Sequence, residues 1–149
     1  MNIIKFDYST IYGYVYLILT TIPGKNGNVI VKIGRTFRHY NQRFKEYPVG
    51  YELLLACPVD DHKKCEKELI SDFSQKFERT LEHGNEYFFG NLDEMFMVIL
   101  RKCKKIAHIC GKYRLKNKTN VQEIDSILKN NPYVSIFKTE QEEIIKRKE

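Results

Sequence analysis

The chain has 149 residues, 42% of them hydrophobic and 30% charged, the length and composition of one ordinary globular domain. No apolar run approaches the roughly 18 residues of a membrane span, and the opening MNIIKFDYST lacks the apolar core of a secretory signal. Membrane spanning and export are therefore excluded as expectations, and an intracellular setting is expected, in host cytoplasm, nucleus or virion if the source is viral. The formal charge is +6, and it is unevenly placed: residues 1–100 hold 12 basic and 13 acidic side chains, residues 119–149 hold 5 and 6, and residues 101–118 hold 8 and none. A second basic run, Lys32, Arg35, Arg38, Arg43 and Lys45, meets no acid before Glu46. Two such patches are the electrostatic footprint of a polyanion ligand.

In chain order, residues 12–20 (YGYVYLILT) are β-branched and aromatic, and Tyr12, Tyr14 and Tyr16 alternate with Gly13, Val15 and Leu17, which predicts a strand. The turn signals of TIPGKNG and the apolar NVIVKIG then predict an antiparallel hairpin in which Thr20 faces Asn28 and Tyr16 faces Lys32. Thr36 is placed to cap a short helix, with Phe37, Tyr40, Phe44 and Tyr47 on one aromatic face and Pro48 ending it. YELLLAC predicts a buried strand, and Asp60 or Asp61 caps a helix with the core stripe Leu69, Ile70, Phe73 and Phe77. EYFF predicts a strand or extended turn. Asn91 with Glu94 caps a helix from about 92 to 110 that ends at Gly111, and further helices start at Asn120 and Thr139. The order ββαβα(β)α predicts an α/β domain over residues 1–111, a small, mostly antiparallel sheet flanked by helices. A basic helical extension follows over 112–149.

The cysteines (Cys57, Cys65, Cys103, Cys110) read as reduced and buried, because Ile99, Cys103, Ile106 and Cys110 share a helical spacing. Cys103, His108 and Cys110 contain no tight CxxC pair that would mark a zinc site. His62 and His83 read as exposed loop or helix residues.

The chemistry-bearing residues gather in the hairpin and the helix after it. A Lys32 ammonium beside the Tyr16 phenol would favour the phenolate. Gly34 would let the backbone swing Arg35 and the following helix toward the same face, and Arg43, one turn from Tyr40 and Tyr47, would bring a guanidinium there. The plainer reading is that Tyr12, Tyr14 and Tyr16 cover a sheet face, as aromatic residues do, with Arg43 and Glu86 solvated.

The order GYVYLI, KIGRT, an arginine in a short helix, a strand, a helix and HGNEYF resembles the GIY-YIG nuclease family. The likeness is to the branch with K-I-G as second motif, common in phages and large DNA viruses, and it covers residues 13 to about 100. The resemblance implies Mg²⁺-dependent hydrolysis of DNA phosphodiester bonds. Tyr16 with Lys32 would orient and activate water, Arg43 would stabilise phosphate charge, and Glu86 would hold one Mg²⁺. Asn91 or Asn85 would supply a final asparagine. Lys32 stands where the family usually has tyrosine, and Tyr47 stands where many members have histidine. The duplex backbone would be held by Arg35, Arg38, Lys102, Lys105, Lys112, Arg114, Lys116 and Lys118. These departures leave an alternative open, a catalytically inactive binding or structural module within a viral particle or nucleoprotein complex, with a protein assembly partner.

Overall fold

The computed structural model describes residues 13–24, 29–80, 82–110 and 118–129. Among these described residues ten elements follow in chain order: β1 (Gly13–Pro23), β2 (Val29–Thr36), α1 (Tyr40–Phe44), β3 (Glu52–Val59), α2 (His62–Lys76), β4 (Glu78–Arg79), β5 (Tyr87–Phe89), α3 (Leu92–Cys103), β6 (His108–Ile109) and α4 (Lys118–Lys129). The strands form one antiparallel sheet in the order β4-β5-β2-β1-β3-β6. The expected α/β architecture is the one observed.

Alternation along β1 and β2 gives the sheet two unlike faces. Val15, Leu17, Val31 and Ile33 point to the main core, where Leu69 and Phe73 of α2, Met95, Phe96, Ile99 and Leu100 of α3 and Ile124 of α4 are buried with them. Tyr16 and Ile18 point the other way, into a smaller cluster with Leu53 and Ala56 that Tyr40, Phe44, Tyr47 and Tyr51 partly cover. One face carries the bulk of the core, and the other is roofed by tyrosines around the short helix α1.

Several boundaries differ from the sequence expectation, each for a local reason. The β1–β2 register pairs Tyr16 with Gly34 and Ile18 with Lys32, and shifts between Leu19 and Pro23. This is two residues away from the expected pairing of Tyr16 with Lys32. A slip of two preserves the face of every side chain, so Tyr16 and Lys32 still share one. The cap of α1 is His39, whose Nδ1 accepts from Asn41 N at 3.2 Å. Thr36 instead ends β2, where its buried Oγ1 accepts from Arg38 N at 3.0 Å, and Phe37 stays outside the helix. Asp61, not Asp60, caps α2, and Asn91 caps α3 by accepting from Glu94 N.

Helix α3 stops at Cys103 rather than near 110, because Lys104 takes a left-handed conformation (φ 58°) and its N–H closes on Leu100 O. The chain then turns extended: Ala107 N and Cys110 N bond to Ala56 O and Leu54 O, and β6 adds to the edge of β3. Ile106 and Ile109 are thus buried from an extended segment rather than a helix. All four cysteines are free thiols, with Cys65 and Cys103 Sγ atoms 3.8 Å apart. Among the described residues no helix is long and apolar enough to cross a membrane. The expected helix at Thr139 lies outside the described residues.

Candidate active site

The chemistry-bearing residues meet at a cleft of about 290 Å³ at the end of β2, lined by Tyr16, Lys32, Gly34, Arg35, Arg38, Arg43, Glu66 and Glu86, with Thr36 and Phe37 at its wall. Each comes from a different constraint. Tyr16 projects from the middle of β1 across its register partner Gly34, and a Cβ at residue 34 would collide with the tyrosine ring. The glycine therefore serves to admit the Tyr16 ring, and β2 runs on past it to Thr36 rather than swinging away. Glu86 precedes β5; its carbonyl accepts from Ile33 N at 3.0 Å, which fixes its side chain next to Lys32. The resulting Lys32 Nζ to Glu86 Oε2 separation is 3.4 Å.

Lys32 does not touch Tyr16 directly. Its Nζ donates to Tyr47 Oη at 2.8 Å, and Tyr47 Oη lies 2.7 Å from Tyr16 Oη, so Tyr47 bridges the two. Tyr47, which stands where the family resemblance implies a histidine, is the centre of the hydrogen-bonded chain. Arg43 stacks its guanidinium 4.7 Å from the centroid of the Tyr47 ring, and Lys32 Nζ lies 4.9 Å from the same centroid, both within cation–π range.

The protonation balance departs from the expected phenolate. Burial, and then the hydrogen bond with Tyr47, push the Tyr16 phenol well above its ordinary range, with Arg43 pulling weakly the other way. Tyr16 is therefore a neutral hydroxyl. For Lys32, burial alone would lower the pKa; the Tyr47 hydroxyl and the Glu86 carboxylate outweigh it, and the ammonium is held charged.

Glu66, which sequence reasoning passed over, lies on the first turns of α2 with its carboxylate 3.2 Å from Arg35 Nε. Burial, and then the nearby Glu86 charge, raise its pKa. The two carboxylates thus converge although 20 residues separate them in the chain. Its sequence signal, one acid among the lysines of HKKCEKEL, is indistinguishable from a solvated helix face. Among the described residues no three His, Cys, Asp or Glu side chains group to hold a metal. A pair of carboxylates suits Mg²⁺, which binds through one or two carboxylates and completes its shell with water and phosphate oxygens. A cation bound between them would offset both the burial of the Glu66 carboxylate and its repulsion by Glu86.

Arg38 and Arg43 occupy the rim and both hold Glu46: Arg38 meets its two carboxylate oxygens at 2.7 and 2.8 Å, and Arg43 meets Oε2 at 2.7 Å. His62 lies against Arg35, with 3.3 Å between Nδ1 and Nη1; burial, then the arginine charge, lowers its pKa. The other expected nucleic-acid contacts are dispersed. Lys102 is paired with Glu68 and Asp72 of α2, Lys105 and Lys118 are exposed, and Lys112, Arg114 and Lys116 lie outside the described residues. His83, Asn85 and Asn91 do not line this cleft.

The described residues thus form an antiparallel α/β domain with cations and two carboxylates around one cleft. The model of the T5orf172 domain matches residues 13–109, and the chain belongs to the T5orf172 domain family. This corrects the resemblance read from the motifs, because the family that matches is a different one from GIY-YIG. No curated protein and no solved structure matches the chain significantly. Family membership points to a nuclease-like or DNA-binding role.

Proposed function

We propose that the cleft hydrolyses phosphodiester bonds of DNA with the help of one Mg²⁺ held by Glu86 and Glu66. The observation that carries this reading is the convergence of Lys32, Arg43, Tyr16, Glu66 and Glu86 on one cleft from β1, β2, α1, α2 and the segment before β5. A phosphodiester needs its nonbridging oxygens neutralised, a water held in line and the leaving oxygen stabilised. Arg43 and Arg38 supply guanidinium forks for the nonbridging oxygens once Glu46 yields them. Tyr16, as a neutral hydroxyl, can hold a water or phosphate oxygen, and the charged Lys32 keeps Tyr47 oriented toward it. The cation, when bound, would stabilise the leaving oxygen. Glu66, whose affinity for a proton is raised, can hold the cation only as its carboxylate, so the proton and the metal compete for it.

The experiment is Mg²⁺-dependent nicking of supercoiled plasmid. Glu86→Gln and Glu66→Gln should each lower nicking by at least about 100-fold, the scale of losing one electrostatic or acid–base group, while DNA binding stays within a few fold. Nicking equal to the parent's would overturn the assignment. A second reading, a DNA-binding module without chemistry, is favoured by the internal commitment of Tyr16 to Tyr47 and of Arg38 and Arg43 to Glu46. Salt-sensitive binding by a parent protein that never nicks would select it.

A further inference from the structure

Phe37 is 78% exposed, and it is the aromatic residue among the large exposed hydrophobic side chains of the described residues. The sequence pattern assigned it to the apolar face of α1, yet it stands outside that helix at the wall of the cleft. Its position is set by rigid neighbours. Thr36, 4% exposed and paired with Tyr14 in the sheet, closes a turn around it by accepting from Arg38 N. Arg35 on one side is anchored to Glu66, and Arg38 on the other is anchored to Glu46. An aromatic ring is thus presented to solvent from the chain between two tied arginines, at the wall of the space where a phosphate would sit.

Cations that track a phosphate backbone, alternating with an aromatic ring, form the arrangement that binds unpaired nucleotides: every base has a π-face, and stacking is open only when that face is not already covered by a neighbour in a duplex. We propose that Phe37 is a stacking platform for an unpaired nucleobase next to the phosphate in the cleft, so that the substrate class is DNA with single-stranded or extruded nucleotides at that point. The inference rests on the nucleic-acid reading of the cleft and deepens it.

The chain contains no tryptophan and ten tyrosines, so Phe37→Trp installs a single tryptophan at the platform that can be excited selectively on the red edge, where tyrosine does not absorb. The full-length variant is titrated with a thymidine oligonucleotide, with a blunt duplex of equal length and with inorganic polyphosphate, while binding is followed separately by anisotropy of end-labelled DNA and by competition. The single strand should quench the tryptophan and polyphosphate should not, although both occupy the cations. Phe37→Ala should weaken the single strand roughly 5- to 100-fold, the equivalent of one lost base stack, and the blunt duplex by less than about 2-fold. A single strand that binds parent and Phe37→Ala equally and leaves Phe37→Trp unquenched would overturn the platform and leave the nucleic-acid reading standing. Failure of every nucleic acid to bind the parent at about 50 mM salt, where phosphate contacts are strong, would overturn that reading itself. A tryptophan shift that follows protein concentration without DNA, together with dimers in sedimentation, would assign Phe37 to a contact between copies and overturn the platform too.

Discussion

The two basic stretches of the chain look alike as sequence and differ in what they face. At the cleft, Lys32, Arg35, Arg38 and Arg43 surround a concave space, and two of their acidic partners, Glu66 and Glu86, line that same space. At the end of α3, Arg101 makes a two-pronged pair with Glu123 of α4, and Lys102 meets Glu68 and Asp72 of α2. The first set pairs around a space that a ligand can enter; among the described residues of the second, Arg101 and Lys102 tie three helices together. An excess of positive charge therefore identifies a binding site only when the fold leaves room between the charges.

The comparison can be broken most severely at the cleft wall. Gly34→Ala drives a methyl group into the Tyr16 ring, and overpacking of this kind costs about 1–3 kcal/mol, so urea unfolding should show that loss. Nicking and DNA binding should fall with it as Tyr16 is displaced.

Tyr47→Phe tests the bridge rather than the space. It removes the hydroxyl between Lys32 and Tyr16 and leaves two half-buried polar groups without that partner, a loss of roughly 1–3 kcal/mol measurable by the same unfolding. Retention of parental stability and of nicking would show that the tyrosine chain is ornamental.

A paired salt titration sharpens the contrast directly. Arg38→Gln should flatten the dependence of log affinity on log salt by about 0.9, one phosphate contact, whereas Lys102→Gln, whose charge is already matched by two acids, should leave the slope unchanged. Equal flattening by both would mean that the end of α3 is part of the DNA surface.

The smallest effect is a pH slope. Because folding raises the Glu66 pKa, the folded state keeps this proton to higher pH than the unfolded state does. Its contribution to stability is therefore full below the ordinary glutamate range and declines as pH rises through the raised value. Glu66→Gln should remove that decline, and added Mg²⁺ should stabilise the parent but not the variant on the alkaline side of it.

Much of the fold was legible because it is written in short-range pattern. Alternation in β1 and β2, the caps Asp61 and Asn91, and the stripe of α2 all follow from local geometry, and an even slip in the hairpin register left every side chain on its expected face. The end of α3 was not legible. Cys103, Ile106 and Cys110 fit a helical stripe, and pairing of the segment after Cys103 with β3 decided for extended backbone instead.

The candidate site divides in the same way. Alternation in the hairpin and spacing in the short helix singled out Tyr16, Lys32 and Arg43, whereas Glu86 entered only through a family resemblance that the match to the T5orf172 domain overturns. Only the tertiary structure brought in Glu66 from α2, made Tyr47 the link between Lys32 and Tyr16, and turned Phe37 outward. It also reversed the expected protonation of Tyr16, because burial and hydrogen bonding depend on what packs around a phenol in space, which neighbours along the chain do not specify.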